Sequence, residues 1–324
     1  MRILSTLLAG ITLAIAAPIA IAAPPAPLKI TKPDAVKGVS QVVIGAFNVG
    51  FLFESVDKTA ATGGMIGMFS GPTTAKSELE GVTPQMMQAI VDAAYADFRS
   101  QLEARGFTVA DSATLFGSQA FAKVKLAPSP YEASVVLEKG SKGKTSFYKP
   151  SALPGLVMLP GDFMSTGLSG MGMQMQSGTT AYSMVNHAKA SGQAVLDVVY
   201  LIDFSNVKRP GAFSFAGVRV NSGVSVVGDY SKLNLIAPSG KQATILMKQP
   251  VAVEGDFATM ADSTGGVNKA MDVAGNVIGI LGGVKTGKTR KYTFTAKPGA
   301  YEEGATKAAT LANAQLVDQL AALR

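Results

Sequence analysis

Apolar and polar positions change period several times along the chain, and each change marks an element. In Thr83 to Asp111, TPQMMQAIVDAAYADFRSQLEARGFTVAD, the residues Met87, Ile90, Val91, Ala94, Tyr95, Phe98 and Leu102 recur at helical spacing. Gln88, Asp92, Arg99 and Glu103 fall on the opposite face. Thr83 reads as the N-cap, Pro84 as the first helical position and Gly106 as the left-handed stop. Phe107–Val109 then starts a strand, and Gln41–Val49 is the apolar strand ahead of the helix, so together they read as a βαβ-type unit. Ala194–Val207, AVLDVVYLIDFSNV, is the strongest strand signal. Leu196, Val198, Tyr200, Ile202 and Phe204 fill one face; Val195, Asp197, Val199, Leu201 and Asp203 make a mixed one. That alternation predicts a central strand covered mainly on one side.

Weaker patterns fill the intervals. Phe51–Val82 reads as irregular, Ser112–Lys125 as a helix capped by Asp111, and Glu138–Lys144 as a charged glycine-rich turn. Leu156–Leu159 reads as a short buried strand, Gly161–Gly178 as a loop, and Thr179–Ser191 as a third helix. Beyond Pro210 the style becomes a meander: Val218–Val226, Lys232–Ile236 and Ala243–Val253, with turns at Gly228-Asp229 and Pro238–Lys241. Met271–Leu281 reads as a short helix and Lys291–Thr295 as a strand. Ala300–Arg324 closes the chain as an amphipathic helix with Ala309, Ala312, Leu316, Leu320 and Leu323 inward. The fold class is therefore α+β, with an α/β-like N-terminal part on a mixed sheet, an antiparallel meander after residue 210, and a C-terminal helix packing back.

The first 22 residues have the three parts of a secretory leader: Arg2, the apolar run Ile3–Ala17, and the small-x-small site Ala20-Ile21-Ala22. The expected organisation is a signal peptide at 1–22, a Pro/Ala linker at 23–40 and one large domain at 41–324, divisible at 207/208. The expected address is the periplasm or the extracellular space, with outer-membrane association as a further option. The chain has no cysteine, so it has no disulfide and no lipidated N-terminal thiol. No later segment reaches the ~18 uninterrupted apolar residues of a spanning helix. The net charge of +7 is scattered as single residues and short runs. For an exported protein such an excess is either a solvated surface or a contact for anionic lipid or polysaccharide. Nucleic acid does not suit that address.

Candidate chemistry is sparse. Gly282–Thr289 satisfies G-x-x-x-x-G-K-[ST], but a phosphate loop must open into a helix, and Arg290–Thr295 reads as a strand. The expectation is a basic hairpin turn and no nucleotide. Met171, Met173 and Met175, with the single histidine His187, are the candidate metal ligands, soft thioethers suited to Cu(I). A Ser-His-Asp site would have to use His187, which falls on a helix, half-buried or exposed, without a nucleophile elbow. Asp197 and Asp203 lie about 20 Å apart along one strand, too far for a glycosidase pair. No catalytic residue and no cofactor is assigned. Met65, Ile66, Met68, Phe69, Phe163 and Met164 sit in Gly/Met-rich stretches and are the candidate partner or membrane contacts.

The order of elements resembles the curli-secretion-channel (CsgG-type) family of envelope α/β domains. The resemblance is carried by Ile44-Gly45-Ala46-Phe47-Asn48, the helix and strand at 86–110, the strand Ala194–Phe204, the turn Ile236–Gly240 and the C-terminal helix Ala305–Leu323. The channel members of that family are lipoproteins, which a chain without cysteine cannot be. The family's two membrane-spanning hairpins have one candidate here, Phe213–Ile236. What the resemblance implies is an assembling envelope or secretion component, a homo-oligomer or a partner of another envelope protein. The expected function is that of an exported, non-catalytic protein that self-assembles or binds a partner. The alternative is a periplasmic copper or small-ligand binder.

Overall fold

The computed structural model describes residues 27–59, 73–138, 141–159, 161–162, 168–208, 218–265, 269–270, 278–281 and 289–324. Its first half runs β1 (Leu28–Thr31), β2 (Gln41–Thr59), β3 (Thr73–Glu80), helix α1 (Pro84–Ala104), β4 (Thr108–Ala110), the single turn α2 (Ala113–Phe116), β5 (Tyr131–Glu138), β6 (Ser141–Tyr148) and helix α3 (Leu168–Ser191). The second half runs β7 (Ala194–Lys208), β8 (Val218–Val226), β9 (Lys232–Ile236), β10 (Gln242–Met247), β11 (Val251–Val253), β12 (Ala258–Asp262), β13 (Lys269–Ala270), β14 (Ile278–Leu281), β15 (Thr289–Ala296) and helix α4 (Ala300–Ala322). The strands form one 15-stranded mixed sheet, so the α+β class read from the sequence holds.

The sheet is built on β2, which at 19 residues is roughly 60 Å long. Its first half pairs in parallel with β7, Val42 against Ala194 through Phe51 against Ile202. The register slips by one residue at Gly45, where a side chain would sit 2.7 Å from Val195 Cγ1 and 3.0 Å from Met184 Cε. The second half of β2 takes new antiparallel neighbours, β3 (Glu54 against Glu78) and β6 (Glu54 against Lys144). Likewise β7 pairs with β9 in its first half and with β8 from Ile202 onward. The strands thus part company halfway, and each finds fresh hydrogen-bond partners because an unpaired buried backbone is costly.

Both faces of the central strands are covered. On one side α1 and α4 pack with each other and onto Ile44, Phe47, Leu196, Val198 and Tyr200. On the other, α3, Leu115, Phe121 and the stretch Val157–Leu159 cover Val43, Ala46, Val195 and Ile236. This corrects the expected one-sided cover of β7: Val195, Asp197, Val199 and Leu201 are all buried. Helix α1 keeps its expected bounds; Thr83 Oγ1 accepts a hydrogen bond from the Met86 amide at 3.2 Å, and Gly106 has φ 80°. A buried polar junction welds the first helical layer to the sheet. Tyr200 on β7 donates its hydroxyl to Asn313 Oδ1 on α4 at 2.7 Å. The Asn313 amide donates to Ala94 O at 2.9 Å and to Asp97 Oδ2 at 2.7 Å, both on α1.

Several expectations are corrected. Residues 28–35, expected as linker, form β1 on β10 and a short 3₁₀ turn, and Val36 and Val39 are buried, so the folded domain begins before residue 41. The stretch expected to be irregular after Phe51 contains the rest of β2 and all of β3. The helix expected over 112–125 is only α2 and a 3₁₀ turn at Gln119–Phe121. The segment Leu156–Leu159 is buried, but holds a single bridge, Ala127 to Leu156, instead of a strand. Helix α3 starts at Leu168, inside the expected loop. The strand expected at Ala243–Val253 is two strands, β10 and β11, with different neighbours. Residues 278–281 are strand where a helix was expected. β14 pairs with β8 while β15 pairs with β3 and β12, so the two do not form the expected basic hairpin. The parallel β15–β3 pairing also makes the part after residue 210 more than a meander.

Replacing Asn313 by Ala is expected to lower unfolding free energy by about 2–3 kcal/mol, because it strands the buried Tyr200 hydroxyl and leaves a cavity. Tyr200→Phe is expected to cost about 1–3 kcal/mol by orphaning Asn313 Oδ1. Urea denaturation of both variants checks this.

Candidate functional site

Two features stand out as candidates: a buried carboxylate pair under the second face, and the end of the sheet where the long strands terminate. The pair is Asp162 and Asp197. Asp197 sits near the start of β7 and accepts a 2.7 Å hydrogen bond from Asn234 Nδ2 on β9, its register partner. Asn234 Oδ1 in turn accepts from Thr244 Oγ1 on β10 at 2.8 Å. Asp162 lies on the segment that crosses this face. Its Oδ2 accepts from the Leu159 amide at 2.7 Å, and Lys232 Nζ lies 3.0 Å from its Oδ1. Lys232 also donates to Gly161 O at 2.9 Å, and the Tyr230 hydroxyl donates to Asp162 O. The same segment is tied to β2 by Asn48 Nδ2, which donates to Val157 O at 2.7 Å.

Charge decides the protonation of this cluster. Asp162 and Asp197 are 1% exposed each, and Lys232 is the cation acting on both. Two carboxylates and one ammonium leave one negative charge uncompensated in a dry site, which is costly unless a proton fills the gap. Burial pushes Asp197 well above the usual carboxylate range, and the neighbouring Asp162 pushes it further; Asn234 and Lys232 pull it back only in part. Burial also raises Asp162, against the pull of Lys232. Asp197 therefore holds its proton more tightly than an exposed carboxyl, and its Oδ1 has no hydrogen-bond partner among the described residues. The pair is sealed by the segment above it, so it clamps that segment instead of presenting an acid and a base to solvent. Asp197 and Asp203 are both on β7, and the carboxylate whose charge acts on Asp197 is Asp162, on a separate stretch of the chain.

His187 is buried on α3, at 4% exposure, where half-buried or exposed was expected. Gln193 hydrogen-bonds its ring, while Nε2 has no partner among the described residues. Burial depresses its pKa more than Gln193 restores it, so the ring is neutral. Met171, Met173 and Met175 lie within α3. Their side chains lie outside the described residues. Among the described residues, no group of three His, Cys, Asp or Glu side chains could hold a metal ion. Met65, Ile66, Met68, Phe69, Phe163 and Met164 lie outside the described residues, as do 282–288 of the glycine-lysine motif; Thr289, its last residue, opens a strand and not a helix.

The second feature follows from register. β2 and β7 run in parallel, so their C-terminal ends lie together. β3, β6 and β8 start at that same end, because each is antiparallel to one of them. β5, antiparallel to β6, finishes there. β15 starts there alongside β3, and β12 and β14 finish there. One pole of the molecule is therefore a collection of strand ends, while α1, α3 and α4 cover the other part of the sheet. No described helix is long and apolar enough to cross a membrane, a statement that does not bear on strands. No protein-family model, no curated protein and no solved structure matches the chain.

Two pH dependences follow. The folded pKa of Asp197 is raised above 3.8, so its contribution to stability is full below pH 3.8 and declines as pH rises toward and through the folded value. Asp197→Asn is expected to remove that decline, so the variant gains on wild type in melting temperature as pH increases. The folded pKa of His187 lies below 6.5, so stability is full above pH 6.5 and is lost as pH falls through the folded value. As His187 is the only histidine, His187→Gln is expected to flatten that acid limb between pH 6.5 and 5. Thermal melts across pH check both.

Proposed function

We propose that this chain is an exported cell-envelope protein that acts by contact and not by catalysis, assembling with copies of itself or with an envelope partner through its pole of strand ends. The observation that carries this reading is the gathering of β2, β3, β5, β6, β7, β8, β12, β14 and β15 at one end of a single sheet. Edge strands are the parts of a sheet that recruit further chains, because their N–H and C=O groups remain available. β5 supports the reading further. It pairs only with β6 among the described strands, runs eight residues, and is rich in β-forming side chains, YEASVVLE. The leader-like N-terminus supports export. The resemblance to the curli-secretion-channel family points the same way.

Light scattering of the mature chain across a concentration series is the test. Discrete oligomers are expected, and Val136→Lys on β5 is expected to shift them toward monomer, since a charged edge strand resists pairing. A strict monomer at high concentration, with no partner recovered by crosslinking in the native envelope, would defeat the reading.

A further inference from the structure

A cleft of about 260 Å³ opens to solvent over four adjacent strands, β3, β2, β6 and β5. Glu54 of β2, Glu78 of β3 and Glu132 of β5 line it, with Lys144 and Ser146 of β6 and the side chain of Phe53. Three carboxylates stand there against one ammonium, so the lining is acidic in a chain that is basic as a whole. Register brings them together. Glu54 is the partner of Glu78 across β2 and β3, and of Lys144 across β2 and β6. Glu132 is the partner of Ser146 across β5 and β6. The register of β2 on β6 slips between Leu52 and Glu54, so Phe53 is an extra residue in the ladder. A bulge of this kind bends its strand and re-aims a side chain, here an aromatic one placed among carboxylates.

The charge of the cleft is only partly met. Lys144 Nζ lies 3.8 Å from Glu54 Oε1, in an exposed pair of the weak kind. Glu78 and Glu132 have no ion-pair partner among the described residues. Glu54 and Glu78, like charges side by side on neighbouring strands, repel each other. Along β3, Lys76 and Glu80 lie two residues to either side of Glu78 and offset each other, and Arg290 and Lys291 belong to β15, outside the lining. Ser146 gives a second, independent sign of a guest. It is 8% exposed, it lines the cleft, and its hydroxyl makes no hydrogen bond among the described residues.

The geometry says which guest. Among the described residues no three acidic side chains come close enough to hold a metal ion, which needs its oxygens within about 2.6 Å of one point. Carboxylates that share a cleft without converging on a point suit a larger cation whose N–H groups reach them separately. We propose that this cleft binds an organic cation, a single ammonium or guanidinium group of the kind that a lysine or arginine side chain carries. Glu78 and Glu132 meet its charge, the Ser146 hydroxyl accepts one N–H, and the Phe53 ring offers the aromatic face that attracts such a group. The volume is below the roughly 300–1,000 Å³ of pockets for drug-sized ligands and has room for one side chain. The site goes beyond the assembly reading and stands whether or not copies of the chain associate.

The test is a titration of the isotope-labelled mature protein, followed by amide NMR shifts, with three probes: acetyl-Gly-Arg-Gly-amide, the same peptide with citrulline for arginine, and agmatine. Saturable shifts at Glu54, Glu78, Glu132, Lys144 and Ser146 are expected with the arginine peptide and are reduced by salt. The citrulline peptide keeps the shape without the charge and is expected to give none. Glu78→Gln/Glu132→Gln is expected to weaken binding about ten-fold, at roughly a factor of three per exposed carboxylate. Lys144→Gln is expected to tighten it about three-fold, because it removes a competitor for Glu54. A merely structural role for these side chains would not move affinity in opposite directions. All of them are exposed, so unchanged melting temperatures are expected, and Glu303→Gln on α4, outside the cleft, is expected to bind as wild type. Arginine peptide binding as tightly as agmatine identifies a side chain of a protein partner as the source of the cation; agmatine binding alone identifies a free amine. No saturable shift with either cation, an equal response to citrulline, or weaker binding by Lys144→Gln would each overturn the proposal.

Discussion

Every major feature of this molecule traces to the point where β2 and β7 stop being neighbours. Through Phe51 and Ile202 the two strands satisfy each other's backbone groups in parallel. Beyond that point each still carries a row of N–H and C=O groups, and the chain must supply a partner for each row. It does so by folding back: β3 and β6 flank β2, and β8 takes β7. Antiparallel partners can arrive by short connections, whereas parallel ones need long crossovers, so the far half of the sheet is necessarily rich in fold-backs. The near half, where the parallel pairing holds, needs both faces buried and receives the helices.

The two helical layers are fixed by different chemistry. On one face Asn313 is a hub that satisfies α4, α1 and β7 together, and Phe47 packs edge-on to Tyr95 and Tyr200 around it, with ring centroids 5.6 Å apart in both cases. Hydrogen bonds centred on Asn313, with the Asp97 carboxylate as one acceptor, and aromatic packing hold this face. On the other face a proton and a lysine share the work of closing the crossing segment over Asp197, and a neutral His187 lies under α3. That face is coupled to pH from both directions, through a carboxyl that must stay protonated and an imidazole that must stay unprotonated.

The elements that were legible in the sequence are those whose pattern is set by a single strong surface. Helix α1 buries its whole predicted stripe, and Thr83, Pro84 and Gly106 bound it as expected. β9 and the C-terminal helix were likewise legible from period alone. The fold-backs were not. β3, TTAKSELE, and β6, SKGKTSFY, are largely polar in sequence and reach the core only near their C-terminal ends, through Leu79 and through Phe147 and Tyr148. The first turns of α3 are rich in Gly, Ser and Met, a composition that reads as loop. For the candidate sites, His187 was visible as a residue but not as a buried one, and the partnership of Asp162, Asp197 and Lys232 had no signal at all, since it joins three distant stretches.

Local order, then, was a property of the sequence: where apolar side chains repeat at 3.6 or 2, where a cap or a glycine stops a helix, and how much charge the chain carries. The tertiary structure alone decided which strands become neighbours, because backbone hydrogen bonds are the same for every residue and leave no mark in composition. That choice of neighbours placed a carboxylate over Asp197. It also made Lys76 and Lys291, far apart along the chain, direct neighbours on β3 and β15, since position in a sheet depends on register and not on distance along the chain.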